Sequence, residues 1–402
     1  MKRIGDKERQ YVLEVLNTQF RSSAGSVMTK RLEETFAEKF NVKYAIAHVN
    51  GTATLHAALA AAGVGPGDEV IVPPLTMSST AFAALHANAV PVFADIYPDT
   101  FTIDPADIRN KITEHTKAII PVALYGLSPD MDEIMAIARQ HNLTVIEDDA
   151  QCFLGYYKKR IVGSIGHMAS FSFQSSKHIT SGEGGMVITN NQDLADKVRR
   201  FNSLGYAGVS AGKGKITKKD IQDPAYERHV TLGFNYRMPE LCAAVALAQV
   251  ERMEELVQKR IDVAGLYSDA LDGCKWLTPQ KVPQEYKHSY WTYVLKLADN
   301  VDFSWYDFRN KYMELGGDGV YAAWQLTYLE PVFKNYAFYK HNCPVKCPHY
   351  VGQLQEYGPG LCPAAESVQP RLLQFKTNYL DSNSAKRKAD ALRNTIEYFG
   401  SS

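Results

Sequence analysis

The chain is 402 residues long, 45% hydrophobic and 22% charged, and its 44 basic and 44 acidic side chains give a formal net charge of zero. That length calls for one large and one small domain rather than a single core, and the balanced charge argues against a nucleic-acid partner, which requires a basic excess or stripe. The opening stretch MKRIGDKERQYVLEVLNTQF is charged and amphipathic and lacks the apolar centre of a signal peptide. No apolar run approaches the roughly 18 residues of a bilayer span, and six irregularly spaced cysteines do not form a disulfide framework. A cytoplasmic chain with no membrane partner is expected.

LEETFAEKFNV, from Leu32, has helical periodicity, and YAIAHV, from Tyr44, reads as a short buried strand. NGTATLHAALAAAG is a turn followed by an alanine-rich helix ending at Gly63. Strand GDEVIVPP, helix SSTAFAALHAN, strand AVPVFADI, strand KAIIPVAL, helix DMDEIMAIARQHN and strand LTVIEDD follow in that order. Strands alternating with helices predict a mostly parallel sheet between helical layers, with ligands at the carboxyl ends of the strands. Asn50-Gly51-Thr52, Pro73 to Thr76 and Asp148 to Gln151 fall at such ends. After about Leu204 the glycine- and lysine-rich GYAGVSAGKGKITKKDIQDPAYERH reads as a surface loop. One long helical stretch from Glu240 to about Leu271 bridges to a second region, where SYWTYVLKL is a strand and WYDFRNKYMELG a helix closed by glycine. The division expected is a large α/β domain over 1–272 and a small α+β domain over 273–402.

Three short stretches carry chemistry. In FSFQSSKHITSGEGGMVIT, Lys177 sits between two strand-like segments. A desolvated lysine has a lowered pKa and attacks carbonyls; the plain alternative is a solvated loop lysine. VIEDDAQ puts acids at the end of a buried strand, where a carboxylate needs a cationic partner such as a protonated pyridine nitrogen, or where an aspartate caps the next helix. NGTAT opens a helix whose free backbone amides suit a phosphate, or which has an ordinary N-cap.

Taken together and in this order, these stretches resemble the DegT/DnrJ/EryC1/StrS sugar aminotransferases, which are fold-type-I pyridoxal-phosphate enzymes. The resemblance also covers GVGPGDEVIVPPLT and LGFNYRMPELCAAVALAQVERM and runs from about Thr29 to Met253, with a weaker echo at LCPAAESVQPRLLQ. It implies that Lys177 forms the Schiff base with pyridoxal 5′-phosphate. It places Asp148 at the pyridine nitrogen, Gln151 by the ring hydroxyl, Ala150 against one face of the ring and Met77 on the other. Ser172 and the backbone at Gly51, Thr52 and Ala53 bind the phosphate. Asn235 reaches the phosphate of the other subunit of a homodimer. The implied reaction moves an amino group from L-glutamate to a keto-sugar, nucleotide-linked in most of the family, for polysaccharide or secondary-metabolite synthesis. Lys177 then carries the proton and pyridoxamine phosphate is the aminated cofactor. A free sugar acid or a cyclitol ketone stays open as acceptor, and a dehydratase or a regulatory binding protein on the same fold stays open as activity. A few relatives replace the lysine by histidine and become dehydratases; the lysine is present here.

The chain departs from the family pattern at three places. Met77 stands where an aromatic is usual, Ala123 where a histidine is frequent, and Asp149 where an alanine is usual. His178, Tyr321, Trp324 and Gln325 are candidate substrate contacts, with core packing as the alternative for each. Cys343, Cys347, His349 and Cys362 match no zinc spacing, so no metal is expected. Lys213, Lys215, Lys218 and Lys219 are either a solvated face or a contact for a diphosphate.

Overall fold

The computed structural model describes residues 2–21, 27–214 and 216–400. Seven strands form the main sheet in the spatial order β1 (Tyr44–His48), β9 (Gly185–Thr189), β8 (Met168–Ser172), β5 (Thr144–Asp148), β4 (Thr116–Ile119), β2 (Glu69–Val72) and β3 (Val90–Phe93). From β8 to β3 every neighbouring pair is parallel, and β9 alone runs against both of its neighbours. The strands are buried on both faces, which is why they read as continuous apolar runs. On β2, Val70 and Val72 enter one core while Ile71 enters the other, as the two-residue period of a strand requires.

Helices α3 (Gly51–Ala61), α4 (Ser79–His86) and α7 (Gln192–Phe201) lie on the first face. The other face is covered in two parts. Helices α5 (Pro105–Lys111) and α6 (Met131–His141), with the small hairpin β6 (Tyr156–Tyr157) and β7 (Arg160–Ile161), cover its β3 side. Helices α1 (Asp6–Asn17), α2 (Val27–Lys39) and α9 (Glu240–Val250) pack over β1, β8 and β9 through an aromatic cluster of Phe36, Phe40, Phe153, Phe171 and Phe173. The loop that was expected after Leu204 contains one short helix, α8 (Lys218–Gln222).

The bridging helix is two helices. It breaks after Val250, where Arg252 leaves helical geometry at φ −121°, and restarts as α10 (Met253–Ala270). The break turns the chain from the large sheet to a second, four-stranded antiparallel sheet ordered β10 (Leu277–Pro279), β11 (Thr292–Leu297), β13 (Leu372–Lys376) and β12 (Tyr321–Ala322). Helices α10, α11 (Trp305–Glu314) and α14 (Ser382–Gly400) pack on this sheet around Tyr267, Phe308, Tyr312 and Phe375. Between β12 and β13 the chain returns to the large sheet. This return includes α12 (Pro331–Lys334) and α13 (Pro363–Val368), and it lays Tyr328, Phe333, Tyr350, Tyr357 and Cys362 into the core under β2 and β3. Phe93 and Phe333 meet edge to face with ring centroids 5.5 Å apart, and the Tyr357 hydroxyl donates to the Pro91 carbonyl at 2.9 Å. The aromatics of this return have no helical or strand period, so no pattern in the chain marks where they pack.

Candidate active site

A cleft of about 500 Å³ opens where β1, β5 and β8 end, between the large sheet and the start of β11. Asn50, Gly51, Thr52, Thr76, Met77, Ser79, Asp148, Ala150, Gln151, Ser172, Gln174, Lys177 and Glu183 line it, with Trp291 and Trp324 from the chain beyond residue 273. Stretches far apart in the sequence converge there because parallel strands deliver all their carboxyl ends to one edge.

Strand β5 sorts its acids by alternation. Asp148 lies on the α3–α4 face, where its Oδ2 accepts the Thr80 hydroxyl at 2.8 Å and its Oδ1 accepts the Ala150 amide at 3.3 Å. Glu147 points the other way and accepts the amides of Gly163, Ile165 and Gly166 at 2.6–3.0 Å. Burial pushes the Asp148 carboxyl up, and the Thr80 hydroxyl, the Ala150 amide and the charge of Lys177 only partly offset it. Asp149 is also buried, with its Oδ2 unpartnered among the described residues. Burial first, then Glu147 and Asp148, drive its carboxyl well above the usual range.

Lys177 is 9% exposed. Burial pulls its amine down to about 8; Asp148 acts to raise it and Arg260 to lower it further. Its Nζ lies 4.4 Å from the centroid of the Trp291 ring. The backbone below it is tied down, since the Lys177 carbonyl accepts from Arg3 and from Arg260, each at 2.8 Å. Here, then, a buried amine with a lowered proton affinity shares a cleft with a buried carboxylate, which is a pair suited to proton transfer.

At the opposite end of the cleft, the Asn50 side chain caps α3 by accepting the Ala53 amide at 2.8 Å. The Gly51 and Thr52 amides precede any intrahelical acceptor and remain at the helix end. The Thr52 and Ser79 hydroxyls are 3.0 Å apart. A side chain on Gly51 would bring its Cβ within 2.8 Å of the Ser172 Cβ, so only glycine lets α3 approach β8 this closely. Gln151 accepts the Tyr125 amide at 2.8 Å, which holds Tyr125 at φ 61° on the wall beside the cleft.

The remaining candidates are placed as follows. Asn235 is exposed and does not line the cleft of its own chain. His178 is buried behind Lys177 with its Nε2 2.9 Å from the Ser289 carbonyl, and burial and then Arg260 hold it far below the usual histidine range, so it is neutral. Trp324 lines the cleft mouth, whereas Tyr321 on β12 and Gln325 do not. Ala123 is buried in the wall under β4 and β5. Cys343 is hydrogen-bonded to Cys347, and Cys362 is buried near the Phe93 carbonyl. Among the described residues no group of three or more histidine, cysteine, aspartate or glutamate side chains gathers at a metal-binding separation. Lys213 is 3.5 Å from Asp220, while Lys215 and the side chain of Lys218 lie outside the described residues.

Sequence reasoning missed Thr80, Ser79 and Trp291. Thr80 and Ser79 sat in what read only as a helix start, and Trp291 in what read only as a strand. The one available signal was a tryptophan at the entry to a strand, where a side chain projects past the sheet edge.

The seven-stranded, mostly parallel sheet, the helical layers and the second sheet define a fold-type-I enzyme of the pyridoxal-phosphate-dependent aminotransferase class. The chain belongs to the DegT/DnrJ/EryC1/StrS aminotransferase family, whose model matches residues 2–350. It is 42% identical over 300 residues to GDP-perosamine synthase of Caulobacter vibrioides, covering 74% of this chain and 76% of that one. It is 39% identical over 296 residues to the spore coat polysaccharide biosynthesis protein SpsC of Bacillus subtilis, covering 74% of each. The structure of an aminotransferase from Psychrobacter cryohalolentis superposes with a TM-score of 0.84 at 30% identity, over 99% of this chain and 98% of that one. Among the described residues no helix is long and apolar enough to cross a membrane.

Proposed function

We propose that the cleft binds pyridoxal 5′-phosphate and that the enzyme moves the amino group of L-glutamate to a nucleotide-linked keto-sugar used in polysaccharide synthesis. The observation that carries this reading is the pairing, in one cleft, of the buried Lys177 amine, lowered to about 8, with the buried Asp148 carboxylate. The donor set fits the cofactor. Asp148 is a buried acid held by one hydroxyl and one amide, and a pyridinium nitrogen would supply the cationic partner its burial calls for. The Gly51 and Thr52 amides and the Ser79 and Ser172 hydroxyls would hold the phosphate. The similarity to GDP-perosamine synthase and SpsC supports the nucleotide-sugar and polysaccharide assignment.

When bound, the cofactor supplies an electron sink for the carbon bearing the amino group. The protein supplies the rest. Lys177, once released from the cofactor and in its unprotonated form, would take the proton from the donor's α-carbon on its Nζ and deliver it to the cofactor carbon that had carried the aldehyde. With its proton affinity lowered to about 8, more of the amine is unprotonated near neutral pH than for an ordinary lysine. Thr80 holds Asp148 by donating to its Oδ2, and the carboxylate would pair with the ring nitrogen. Met77 and Ala150 line the cleft and would lie against the ring, methionine giving a polarizable face in place of an aromatic one. Trp291 and Trp324 keep water from the amine and offer flat surfaces to a sugar or a base. Asn235, exposed on its own chain, is proposed to complete the phosphate site of a second subunit, which makes the working enzyme a homodimer.

The reading is tested by Lys177→Ala supplied with pyridoxal phosphate, L-glutamate and a GDP-linked 4-keto-sugar. No 2-oxoglutarate should form, and turnover at the native rate would overturn the assignment. Preparing mixed dimers of Asn235→Ala and Lys177→Ala subunits tests the shared site. Half-of-native activity from dimers inactive in either parent places Asn235 across the interface; no recovery removes it.

A further inference from the structure

We propose that Trp291 is a positioning residue for Lys177: its indole face holds the free amine at the floor of the cleft, and Arg260 fixes the two backbone segments on which both residues stand. Trp291 lies at the entry to β11, 114 positions after Lys177 in the chain, yet three contacts join them. The Lys177 Nζ lies 4.4 Å from the indole centroid, inside cation–π range. The indole Nε1 donates to the Ser176 carbonyl at 3.0 Å, which locks the ring orientation against the segment that carries the lysine. Arg260 closes the loop from α10. Its guanidinium donates to the carbonyls of Ser176 (2.9 Å), Lys177 (2.8 Å) and Trp291 (2.7 Å), and to the Thr377 hydroxyl at 3.3 Å.

Arg260 is buried and has no carboxylate partner among the described residues; the charge that acts on it is that of Arg3. A guanidinium placed without a carboxylate is costly, and only a fixed fork of donors can serve four oxygens on three segments at once. An apolar side chain at 260 would leave the carbonyls of Ser176, Lys177 and Trp291 without this donor. The arrangement instead keeps the amine of Lys177 within a side-chain length of where it works as a proton carrier. Phenylalanine at 291 would preserve the ring face and lose the Nε1 anchor. Leucine would preserve bulk and lose the face.

The proposal rests on Lys177 being the reacting amine, and its test is independent of turnover. Lysines are reductively methylated with carbon-13 formaldehyde in protein freed of pyridoxal phosphate, and the Lys177 signal is identified by its absence in Lys177→Arg. In the native protein the indole ring current displaces this signal upfield. Trp291→Leu should return it to the ordinary dimethyl-lysine position, and Trp291→Phe should keep part of the displacement. In separate, unmethylated protein loaded with pyridoxal phosphate, Trp291→Leu should slow the half-reaction with L-glutamate about tenfold and Trp291→Phe about threefold or less, with KM changed less than about twofold in either. An undisplaced native signal, a Trp291→Leu signal that stays displaced, or equal slowing by both variants overturns the proposal. If Trp291→Leu does not fold, Arg260→Lys decides: its Lys177 signal should move or broaden, and an unchanged one overturns the clasp. Turnover by Lys177→Ala would instead overturn the assignment of function and leave this geometry standing.

Discussion

Replacing Lys177 by methionine should make the protein more stable while abolishing its activity. The lysine is 9% exposed, and burial lowers its amine from 10.5 to about 8. Each tenfold loss of proton affinity is about 1.4 kcal/mol, so the charged form costs about 3 kcal/mol of folding stability at neutral pH. Methionine matches the length of the chain and packs its sulfur on the Trp291 face. The value of about 8 already includes the attraction of Asp148, so the net gain is about 3 kcal/mol. The sign follows from linkage. A lysine whose folded pKa is depressed contributes stability that is present above the unfolded value of 10.5 and lost as pH falls through about 8. The gap between variant and native protein should therefore be full below pH 8 and close as pH rises to about 10.5. Urea unfolding of both proteins, freed of pyridoxal phosphate so that ligand linkage does not intrude, measures it at several pH values. A variant less stable than native at neutral pH, or a gap that ignores pH, would refute the claim that Lys177 is held against its solvation.

Asp148→Asn leaves one acceptor where two donors point, Thr80 on Oδ2 and Ala150 on Oδ1; the half-reaction with L-glutamate should slow by about two orders of magnitude or more while the melting temperature holds or rises, and an unchanged rate removes Asp148 from its role. Gly51→Ala drives a Cβ to 2.8 Å from the Ser172 Cβ, so α3 should move off β8, with about 1–3 kcal/mol lost on unfolding and pyridoxal-phosphate affinity lowered; native affinity by spectroscopic titration would show the close approach to be dispensable. Asp149→Ala removes a buried carboxyl with an unpartnered oxygen and two acid neighbours. Its raised pKa means that stability is lost as pH rises through the folded value, so the variant should be more stable than native at neutral pH and less pH-dependent, by thermal melts, with turnover retained.

Much of this was legible in the sequence because parallel strands are short, apolar and separated by helices, and because their carboxyl ends are where Asn50, Asp148 and Ser172 fall. Lys177 stood out by interrupting two buried strands, β8 and β9, which the structure places side by side. The break in the bridging helix was hidden because Glu251 and Arg252 are good helix formers and the turn there is imposed by packing on two sheets. The return of residues 326–368 to the large sheet was hidden for another reason. Its aromatics anchor irregular chain, and irregular chain has no period to read. Trp291 belongs to the same class of omission, since its role depends on the Ser176–Lys177 segment and on Arg260, which only the fold brings to it.

The most direct measurement of the central claim is the absorbance spectrum of the purified protein with pyridoxal phosphate, before and after L-glutamate. A visible band should form that is missing in Lys177→Ala and that gives way, on adding glutamate, to a near-ultraviolet band with release of 2-oxoglutarate. A protein that takes up no pyridoxal phosphate, or whose visible band is indifferent both to glutamate and to the loss of Lys177, would contradict it.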